Sequence, residues 1–284
     1  MLDFSFLNDP HYYSICLYIL GCLSLPIHIF STYCILFHTP EFMNKVKWVM
    51  LNLHFWSSAL DILLNILGQP FVVPPVFGGM PMGLLHILGV NPGVMVYSMT
   101  TLIELVSLST IAIFENRFFI LFAEKSFWRI LRYPFYIIDT VLAFLYFVPT
   151  MMGVPDQVIA REWIFKNYPQ IRHFDNDHHP IYVVAYESAA RERIGYRMNI
   201  NRHPRRLCFN SPSPMIILGE LGWSSPEINS IGYMMMSLHG ASGALIMLYC
   251  HAPYREYCKS LFRGYCRRKI CGTRKRKITT VSVT

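Results

Sequence analysis

Charged residues are scarce in this chain of 284 residues: Asp, Glu, Lys and Arg together make up 15% of it. A soluble domain of this length carries roughly 25% charged residues. Hydrophobic residues account for 53% of the chain, and its mean hydropathy is +0.34. The scarcity of charge argues against a soluble globular domain and predicts a membrane protein.

The motifs of several other protein classes are also missing. The sequence has no nucleophile elbow, HExxH motif or paired-carboxylate motif, which argues against an enzyme. It has no cofactor motif, zinc-finger signature or RNA-binding signature, so we predict no cofactor and no nucleic-acid partner. The net charge is +8, of which residues 251–284 contribute +9 with ten Lys or Arg and one Glu, while the rest of the chain contributes −1. The basic character therefore belongs to a terminal tail that can lie on an anionic lipid surface.

Cysteines and histidines do not form a recognisable framework. Only Cys208 falls in a segment that we place on the oxidising side, so no intramolecular disulfide is expected. The histidines at 173, 178 and 179 match no zinc signature, and we predict no metal site. Three cysteines follow the last apolar run among basic residues, where palmitoylation is one interpretation and unmodified thiols are the other. They are Cys258, Cys266 and Cys271.

Five long apolar runs are each long enough to cross a bilayer as a helix. The sequence therefore predicts an all-α, polytopic transmembrane bundle. The predicted spans are residues 13–37, 48–72, 93–114, 135–152 and 228–250. Residues 73–92 are predicted to form a loop, and residues 153–227 a polar, irregular segment.

The positions of Lys and Arg predict the orientation of the chain. The connections at residues 38–47 and 115–133 carry Lys and Arg, whereas residues 1–12 and 73–92 carry none. Basic residues stay on the cytoplasmic side. We therefore expect residues 1–12 and 153–227 to lie outside and the tail at 251–284 to be cytoplasmic, which fits an odd number of spans.

Two of the apolar runs carry polar residues at helical spacing, so that each set shares one helix face. A face that bears a carboxylate is costly in lipid, and we expect both faces to point into the bundle or into a water-filled cavity. The first set is Thr100, Glu104 and Ser107, and the second is His54, Ser58, Asp61 and Asn65.

Asp61 has two interpretations, as a contact for a ligand or ion, or as a hydrogen-bonding anchor between helices. In the last run, His239 is the one residue among Asp, Glu, Lys, Arg and His, and we assign it to the same polar core. Gly232, Gly240 and Ala244 share one face of that run, which lets another helix approach closely. Pro253 is expected to end this helix.

Several short segments resemble the nematode serpentine receptors of class H. The resemblance covers residues of about 13–200 and 226–260. The segments are Val46-Lys47-Trp48, Leu51-Asn52-Leu53-His54-Phe55-Trp56, Glu115-Asn116-Arg117-Phe118-Phe119, Ser237-Leu238-His239-Gly240 and Pro253-Tyr254-Arg255-Glu256.

This resemblance implies a seven-span chemoreceptor, similar to G-protein-coupled receptors, in the plasma membrane of a sensory cilium. The partners it implies are a small chemical ligand outside and a heterotrimeric G protein inside. Glu115, Asn116 and Arg117 would take the place of the acidic-Arg motif at the cytoplasmic end of the third span. A simple positive-inside anchor is the alternative interpretation of this cluster. Pro253, Tyr254 and Arg255 would mark the cytoplasmic end of the last span.

The chain departs from the family pattern between about residues 199 and 226. This interval is too short and too polar for two further helices, so we expect the fifth span and most of the sixth to be missing. A truncated, non-signalling product is one interpretation of that difference.

A different class of function, a transporter or channel that uses Asp61, Glu104 and Asp139, is the second hypothesis.

Overall fold

The computed structural model describes residues 5–73, 77–176, 178–185, 226–260 and 263. Five helical segments in these ranges are long and apolar enough to cross a bilayer, which confirms the predicted polytopic helical architecture. They are Pro10–Phe37, Val46–Leu67, Pro92–Ala123, Trp128–Met152 and Glu227–Cys250.

Nine α-helices and three short strands are named here, and the described chain also has short 3-10 turns and a helical segment after the last span. The helices are α1 Pro10–Phe37, α2 Asn44–Ile62, α3 Leu84–Ile87, α4 Pro92–Phe118, α5 Trp128–Leu145, α6 Val148–Met152, α7 Gln157–Asn167, α8 Pro226–Ser237 and α9 His239–Cys250. The strands are β1 Pro70–Val72, β2 Phe77–Pro81 and β3 Tyr182–Ala185. The π-helical turns Leu63–Leu67 and Phe119–Ala123 continue α2 and α4.

Three of the helices begin at a side-chain cap. Asp9, Asn91 and Asp156 each accept a hydrogen bond from a backbone N–H in the first turn of α1, α4 and α7. These caps satisfy N–H groups that have no partner within the helix. The helix starts therefore follow from local sequence.

A small antiparallel sheet covers one end of the bundle, which we call the sheet end. Strand β2 lies in the middle, with β1 and β3 on either side. The backbones of β1 and β2 approach so closely that a Cβ on Gly79 would collide with the Phe71 carbonyl. The sheet and α7 share a buried core formed by Tyr13, Leu17, Phe71, Val73, Met80, Ala160, Ile164, Ile171, Ile181 and Val183.

The prediction of loops at residues 73–92 and 153–227 was incomplete. Strands β2 and β3 and helix α7 lie in these segments, while residues 186–225 are outside the described part of the chain. Strands of three to five residues are too short to show a clear alternation of polar and apolar residues. Their pairing depends on contacts between segments that are far apart in sequence.

The structure also changes several predicted helix ends. The second span ends at Leu67, because residues 70–72 form β1 and Gln69 adopts a positive φ of 44°. The third span continues to Ala123, and the fourth begins at Trp128 rather than at residue 135. Both changes place Glu115 and Arg132 within helices instead of in a loop.

The last span is interrupted, although a single helix was predicted for residues 228–250. Helix α8 ends at Ser237 and α9 begins at His239, with Leu238 between them. Helix α9 ends at Cys250, and the chain is helical again over residues 252–260. Pro253 thus lies in the first turn of a new helical segment, where its missing N–H costs nothing, and not at the end of the last span as predicted. We call this end of the bundle the tail end.

Helix α2 is the centre of the bundle and packs against α1, α4 and α9. The most apolar stretch of its span is 44% buried, whereas Ala143 is the one buried residue in Trp128–Met152, a span that the structure describes throughout. Helix α5 packs mainly against α4 and has a row of large apolar side chains on its surface. The polar groups of α2 therefore have neighbours on several sides, whereas α5 contacts the bundle along one side.

Candidate functional site

Asp61 lies at the junction of α1, α2 and α9, with only 1% of its surface exposed. The prediction that it points inward is confirmed. Its Oδ2 atom is 2.9 Å from Nε2 of His28, which is 4% exposed on α1. A carboxylate buried this deeply requires a partner that offsets the loss of water, and His28 is part of that compensation.

The break in the last span provides the other partners of Asp61. The backbone N–H of Ala241 donates to Oδ2 over 2.9 Å, and that of Gly240 donates to Oδ1 over 3.3 Å. Both groups belong to the first turn of α9, where N–H groups have no partner within the helix and the helix dipole favours a negative charge. Asp61 of α2 thus caps a helix that lies about 180 residues further along the chain.

Glycine is required at position 240 by this contact. A Cβ built there would lie 2.6 Å from Oδ2 of Asp61, closer than two nonbonded atoms can approach. Ala241 and Ala244 are also buried on this face of α9. The predicted close approach of small residues is confirmed for Gly240 and Ala244, whereas a Cβ at Gly243, beside them, would face open space.

Ser58 connects His28 to a neighbouring turn of α2. Its Oγ atom lies 2.9 Å from Nδ1 of His28 and 2.7 Å from the carbonyl oxygen of His54. The hydroxyl has one proton for these two acceptors. It therefore donates to only one of them at a time, and Ser58 links His28 of α1 to the preceding turn of α2.

His54 and Asn65, two further residues of the predicted stripe on α2, are also buried. Nε2 of His54 lies 3.1 Å from both the His28 carbonyl oxygen and Oγ1 of Thr32 on α1. The Asn65 amide donates over 3.5 Å to the carbonyl of Ser237, the last residue of α8. The stripe thus follows the contact of α2 with α1 and with the broken span.

His28 was missed in the sequence because it lies in an apolar run that contains no formal charge. A signal was available: in this run, His28 lies one turn from Ser24 and from Ser31 and Thr32. The buried face of α1 contains Ser24, His28 and Ser31. If histidine is counted as polar, the first span also has a polar face at helical spacing.

The predicted inward orientation of the α4 stripe was wrong. Thr100 and Glu104 are half-buried and Ser107 is exposed, whereas Thr101, Leu105 and Ser109 lie on the buried face. The hydroxyls of Thr100 and Ser107 donate to backbone carbonyls one turn earlier in α4, so they need no neighbouring helix. Glu104 forms no hydrogen bond or ion pair with the described residues.

His239 was also assigned to the polar core, and this assignment was wrong. It is the first residue of α9, and its side chain is exposed. The backbone N–H groups of the next two residues point at Asp61 instead, so the residue type at 239 did not indicate the contact.

The charged cluster Glu115-Asn116-Arg117 lies at the tail end of α4. Oε2 of Glu115 accepts from Arg132 of α5 over 3.1 Å and from the Tyr136 hydroxyl over 2.6 Å. Oε1 accepts from the Trp128 indole over 2.6 Å. Arg117 is exposed. Glu115 therefore fastens α4 to α5, and Arg117 is left at the surface.

Asn116 and Arg132 complete this arrangement. The Asn116 side-chain oxygen accepts from the Arg132 guanidinium over 3.2 Å. The same guanidinium lies 4.2 Å from the centre of the Phe119 ring, a distance at which a cation is attracted by the face of an aromatic ring. Arg132 is thus held by an ion pair, an amide and a ring at once.

Tyr254 packs at the tail end against α1. It is fully buried, and its hydroxyl lies 2.7 Å from Oγ1 of Thr39. Burial raises the pKa of this phenol above its usual value. Pro253 and Arg255 are half-exposed on either side. Of the three predicted palmitoylation candidates, Cys258 is half-buried on residues 252–260, and Cys266 and Cys271 are outside the described residues.

A histidine pair lies at the sheet end. The rings of His86 and His179 are 4.7 Å apart, and Nε2 of His86 donates to the His178 carbonyl over 2.7 Å. Burial, together with the neighbouring His86, lowers the pKa of His179. His173 lies elsewhere, with its ring 3.9 Å from that of Phe174.

The carboxylates proposed for a transport path are on different surfaces. Asp61 lies between α1, α2 and α9, Glu104 lies on the half-exposed face of α4, and Asp139 is half-buried on α5. Asp61 is already bound by His28 and by two backbone N–H groups. The geometry does not favour a chain of carboxylates through the described bundle.

Comparison with known proteins agrees with this architecture of membrane helices. The model of the family described as "Serpentine type 7TM GPCR chemoreceptor Srh" matches residues 8–200 and 207–264, which is most of the chain. The chain belongs to this family. The predicted resemblance to the nematode serpentine receptors of class H is thereby confirmed.

One relative of this serpentine chemoreceptor is "Serpentine receptor class H-72" of Caenorhabditis elegans. The two are 29% identical over 115 residues, which cover 40% of this chain and 33% of the relative. The chain thus matches about a third of that relative's length. No solved structure matches this chain.

Proposed function

We propose that this serpentine chemoreceptor binds a small chemical outside the cell and signals to a heterotrimeric G protein through its tail end. Its family is a class of receptors, and the mostly helical bundle fits a multi-pass membrane receptor. In this proposal the sheet end and the N-terminus are extracellular, the tail is cytoplasmic, and the membrane is the plasma membrane.

The separation of Glu115 from Arg117 is the observation that supports coupling to a G protein. Glu115 is occupied by Arg132, Tyr136 and Trp128, so its charge is compensated within the protein. Arg117 is exposed on the same turn of α4. An exposed guanidinium at the cytoplasmic side is free to form bidentate contacts with a partner's carboxylate or backbone carbonyls.

Glu104 is the group that we assign to ligand recognition. It lies within the third span, it is half-buried, and it forms no hydrogen bond or ion pair with the described residues. Carboxyl groups within a membrane commonly serve a function when they are not paired. Asp61, in contrast, has all its near partners inside the protein, so we assign it a structural role in holding α9.

Nucleotide exchange on purified G protein, with receptor in nanodiscs and a panel of water-soluble and volatile chemicals, would test this proposal. We expect at least one chemical to stimulate exchange by the unmodified chain. Glu104→Gln should abolish that stimulation, and Arg117→Gln should reduce it at least about tenfold, which corresponds to roughly 1.4 kcal/mol. Arg129→Gln, which removes an exposed charge at the start of α5, is the matched control and should respond normally.

Two results would contradict the proposal. One is a folded receptor that stimulates no exchange with any chemical of the panel. The other is a chemical that evokes an ion current in reconstituted bilayers without G protein, which would favour the channel hypothesis instead.

A further inference from the structure

The histidine pair at the sheet end comes from two segments that are fixed by their own backbone hydrogen bonds. On α3, the His86 N–H donates to the Gly83 carbonyl over 3.1 Å, and the Gly89 N–H donates to the His86 carbonyl over 3.0 Å. The His179 N–H closes a turn by donating to the Asn176 carbonyl over 3.0 Å. Both rings are therefore presented by tight turns, which limits their freedom before any ligand binds.

Each ring uses its Nε2 atom for a contact with the backbone. Nε2 of His86 lies 2.7 Å from the His178 carbonyl oxygen, which can only accept, so this nitrogen carries the hydrogen. The His179 ring hydrogen-bonds to the backbone of Pro81, and it does so through Nε2 because its Nδ1 has no partner. Proline has no backbone N–H, so this ring also donates to a carbonyl. In neutral imidazoles both Nδ1 atoms are then acceptors.

Neither of the two Nδ1 atoms has its acceptor capacity filled by the described residues. Nδ1 of His179 is buried without a hydrogen-bond partner. A buried acceptor in that state is costly, so the atom calls for a ligand. Nδ1 of His86 also forms no hydrogen bond with a described residue, but it is not enclosed by the protein. A cation can therefore reach the pair from the side of His86.

The separation of the two rings fits a shared metal ion. Their centres are 4.7 Å apart. A bond of about 2.0–2.1 Å between zinc and an imidazole nitrogen places the ring centre roughly 3.2 Å from the metal. Two such rings at ligand–metal–ligand angles of about 90–110° have their centres about 4.5–5.2 Å apart. The observed separation lies within that range.

The donor atoms indicate which class of metal would bind. Imidazole nitrogens suit Zn²⁺, Cu²⁺ and Ni²⁺, whereas Mg²⁺ and Ca²⁺ prefer oxygen ligands. Metal-bound histidines usually donate their other ring N–H to a carbonyl or carboxylate, as His86 and His179 do. The described residues contain no group of three or more His, Cys, Asp or Glu that could hold a metal ion. Water must therefore supply the remaining ligands.

We propose that His86 and His179 bind a divalent transition metal of the Zn²⁺ and Cu²⁺ class through their Nδ1 atoms, with water completing the coordination. The metal joins α3, which leads into α4, to the turn that leads into β3. It thus ties the sheet to the start of the third span. This site does not depend on the proposed receptor activity.

The sequence did not indicate this site, because its ligands are far apart along the chain. The prediction of no metal site considered His173, His178 and His179 and their spacing. His86 lies 92 residues before His178. The pair forms only where α3 and the turn before β3 meet.

Zinc titration of the purified full chain in nanodiscs would test the proposal, without an affinity tag and with accessible thiols blocked by N-ethylmaleimide. We expect calorimetry to show a Zn²⁺ site in the unmodified chain, and Zn²⁺ but not Mg²⁺ to raise the midpoint of thermal unfolding. His86→Asn keeps a donor for the His178 carbonyl but removes the imidazole, so the Zn²⁺ affinity should fall at least about tenfold. The matched control His173→Asn alters an exposed histidine at the same end and should bind as the unmodified chain does.

Electron paramagnetic resonance with one equivalent of Cu²⁺ would identify the two ligands separately. The unmodified chain should show nitrogen coupling from two imidazoles. His86→Asn and His179→Phe should each lose one of these couplings, which a residue that only stabilises the fold would not cause.

The proposal is overturned if the unmodified chain and His86→Asn bind Zn²⁺ with equal affinity, or if Mg²⁺ stabilises the chain as Zn²⁺ does. It is also overturned if the Cu²⁺ spectrum of the unmodified chain shows fewer than two imidazoles. The His86→Asn comparison decides the matter even if His179→Phe does not fold, because the His86 side chain is partly exposed.

Discussion

The polar residues of α2 and those of α4 have the same helical spacing but opposite surroundings. On α2, Asp61 is 1% exposed and bound by His28 and by two N–H groups of α9. On α4, Glu104 is half-buried without a described partner, and Ser107 is exposed. Spacing thus places residues on one face, whereas the partners available on distant segments decide whether that face is buried.

Replacement of Asp61 should cause the largest loss of stability, and the matched replacement of Glu104 should cause almost none. Asp61→Ala leaves Nε2 of His28 and the amides of Gly240 and Ala241 buried without their partner, so we expect a loss of about 3–5 kcal/mol. Thermal unfolding in detergent would measure it. The matched variant Glu104→Ala should change stability by less than about 0.5 kcal/mol. Equal losses for the two variants would show that the α4 carboxyl is also a structural contact.

The next largest effect concerns the attachment of α4 to α5, because the polar stripe of α4 forms no hydrogen bond with another described helix. Arg132→Gln removes the ion pair with Glu115, and both of these side chains are only about a tenth exposed. We expect a loss of about 1.5–3 kcal/mol, the usual contribution of a hydrogen bond to a charged group. Arg117→Gln is the matched control and should stay within about 0.5 kcal/mol. The reverse order would show that Arg117, and not Arg132, is the stabilising residue of this cluster.

A third pair of variants tests the contact between Asp61 of the α2 stripe and helix α9. Gly240→Ala places a Cβ against Asp61, and we expect it to cost about 1–3 kcal/mol because the helices must separate. Gly243→Ala extends into open space and should stabilise α9 by about 0.5–1 kcal/mol, since alanine favours helix. Chemical unfolding of both variants would measure the difference. A neutral Gly240→Ala would mean that Asp61 does not contact α9.

The smallest expected effect is a pH dependence at the sheet end, which adjoins the end of α2. Burial lowers the folded-state pKa of His179 below its unfolded value. His179 therefore binds a proton more tightly in the unfolded chain than in the folded one. Protonation favours unfolding, so the sheet should lose stability as the pH falls through about 6.5. Amide exchange of residues 181–185 at pH 7.5 and 5.5, corrected for intrinsic rates, would show this. His179→Phe should abolish the difference, and persistence of the difference would assign it to another group.

Much of the bundle was accessible from the sequence alone. Hydrophobic length predicted the five spans, and the cost of a charge in lipid predicted the burial of Asp61. These predictions depend on the properties of a single segment in a bilayer. They need no knowledge of which segments meet.

The errors arose where a contact joins distant segments. The pairing of Glu115 with Arg132 depends on how α5 packs against α4, which local spacing does not indicate. The partners of Asp61 include backbone N–H groups, which every residue but proline has, so no side chain in α9 could indicate them. The orientation of α4 failed because hydroxyls can bond to their own helix.

The interruption at Leu238 also bears on how the chain is made. Helices α8 and α9 have 12 residues each, and each is about 18 Å long, which is less than the roughly 30 Å of a hydrocarbon core. The backbone N–H groups at the start of α9, which have no partner within the helix, cannot remain in lipid without an acceptor. That acceptor was synthesised some 180 residues earlier. Stable insertion of the last span, Glu227–Cys250, therefore depends on α2 already being in place to supply Asp61.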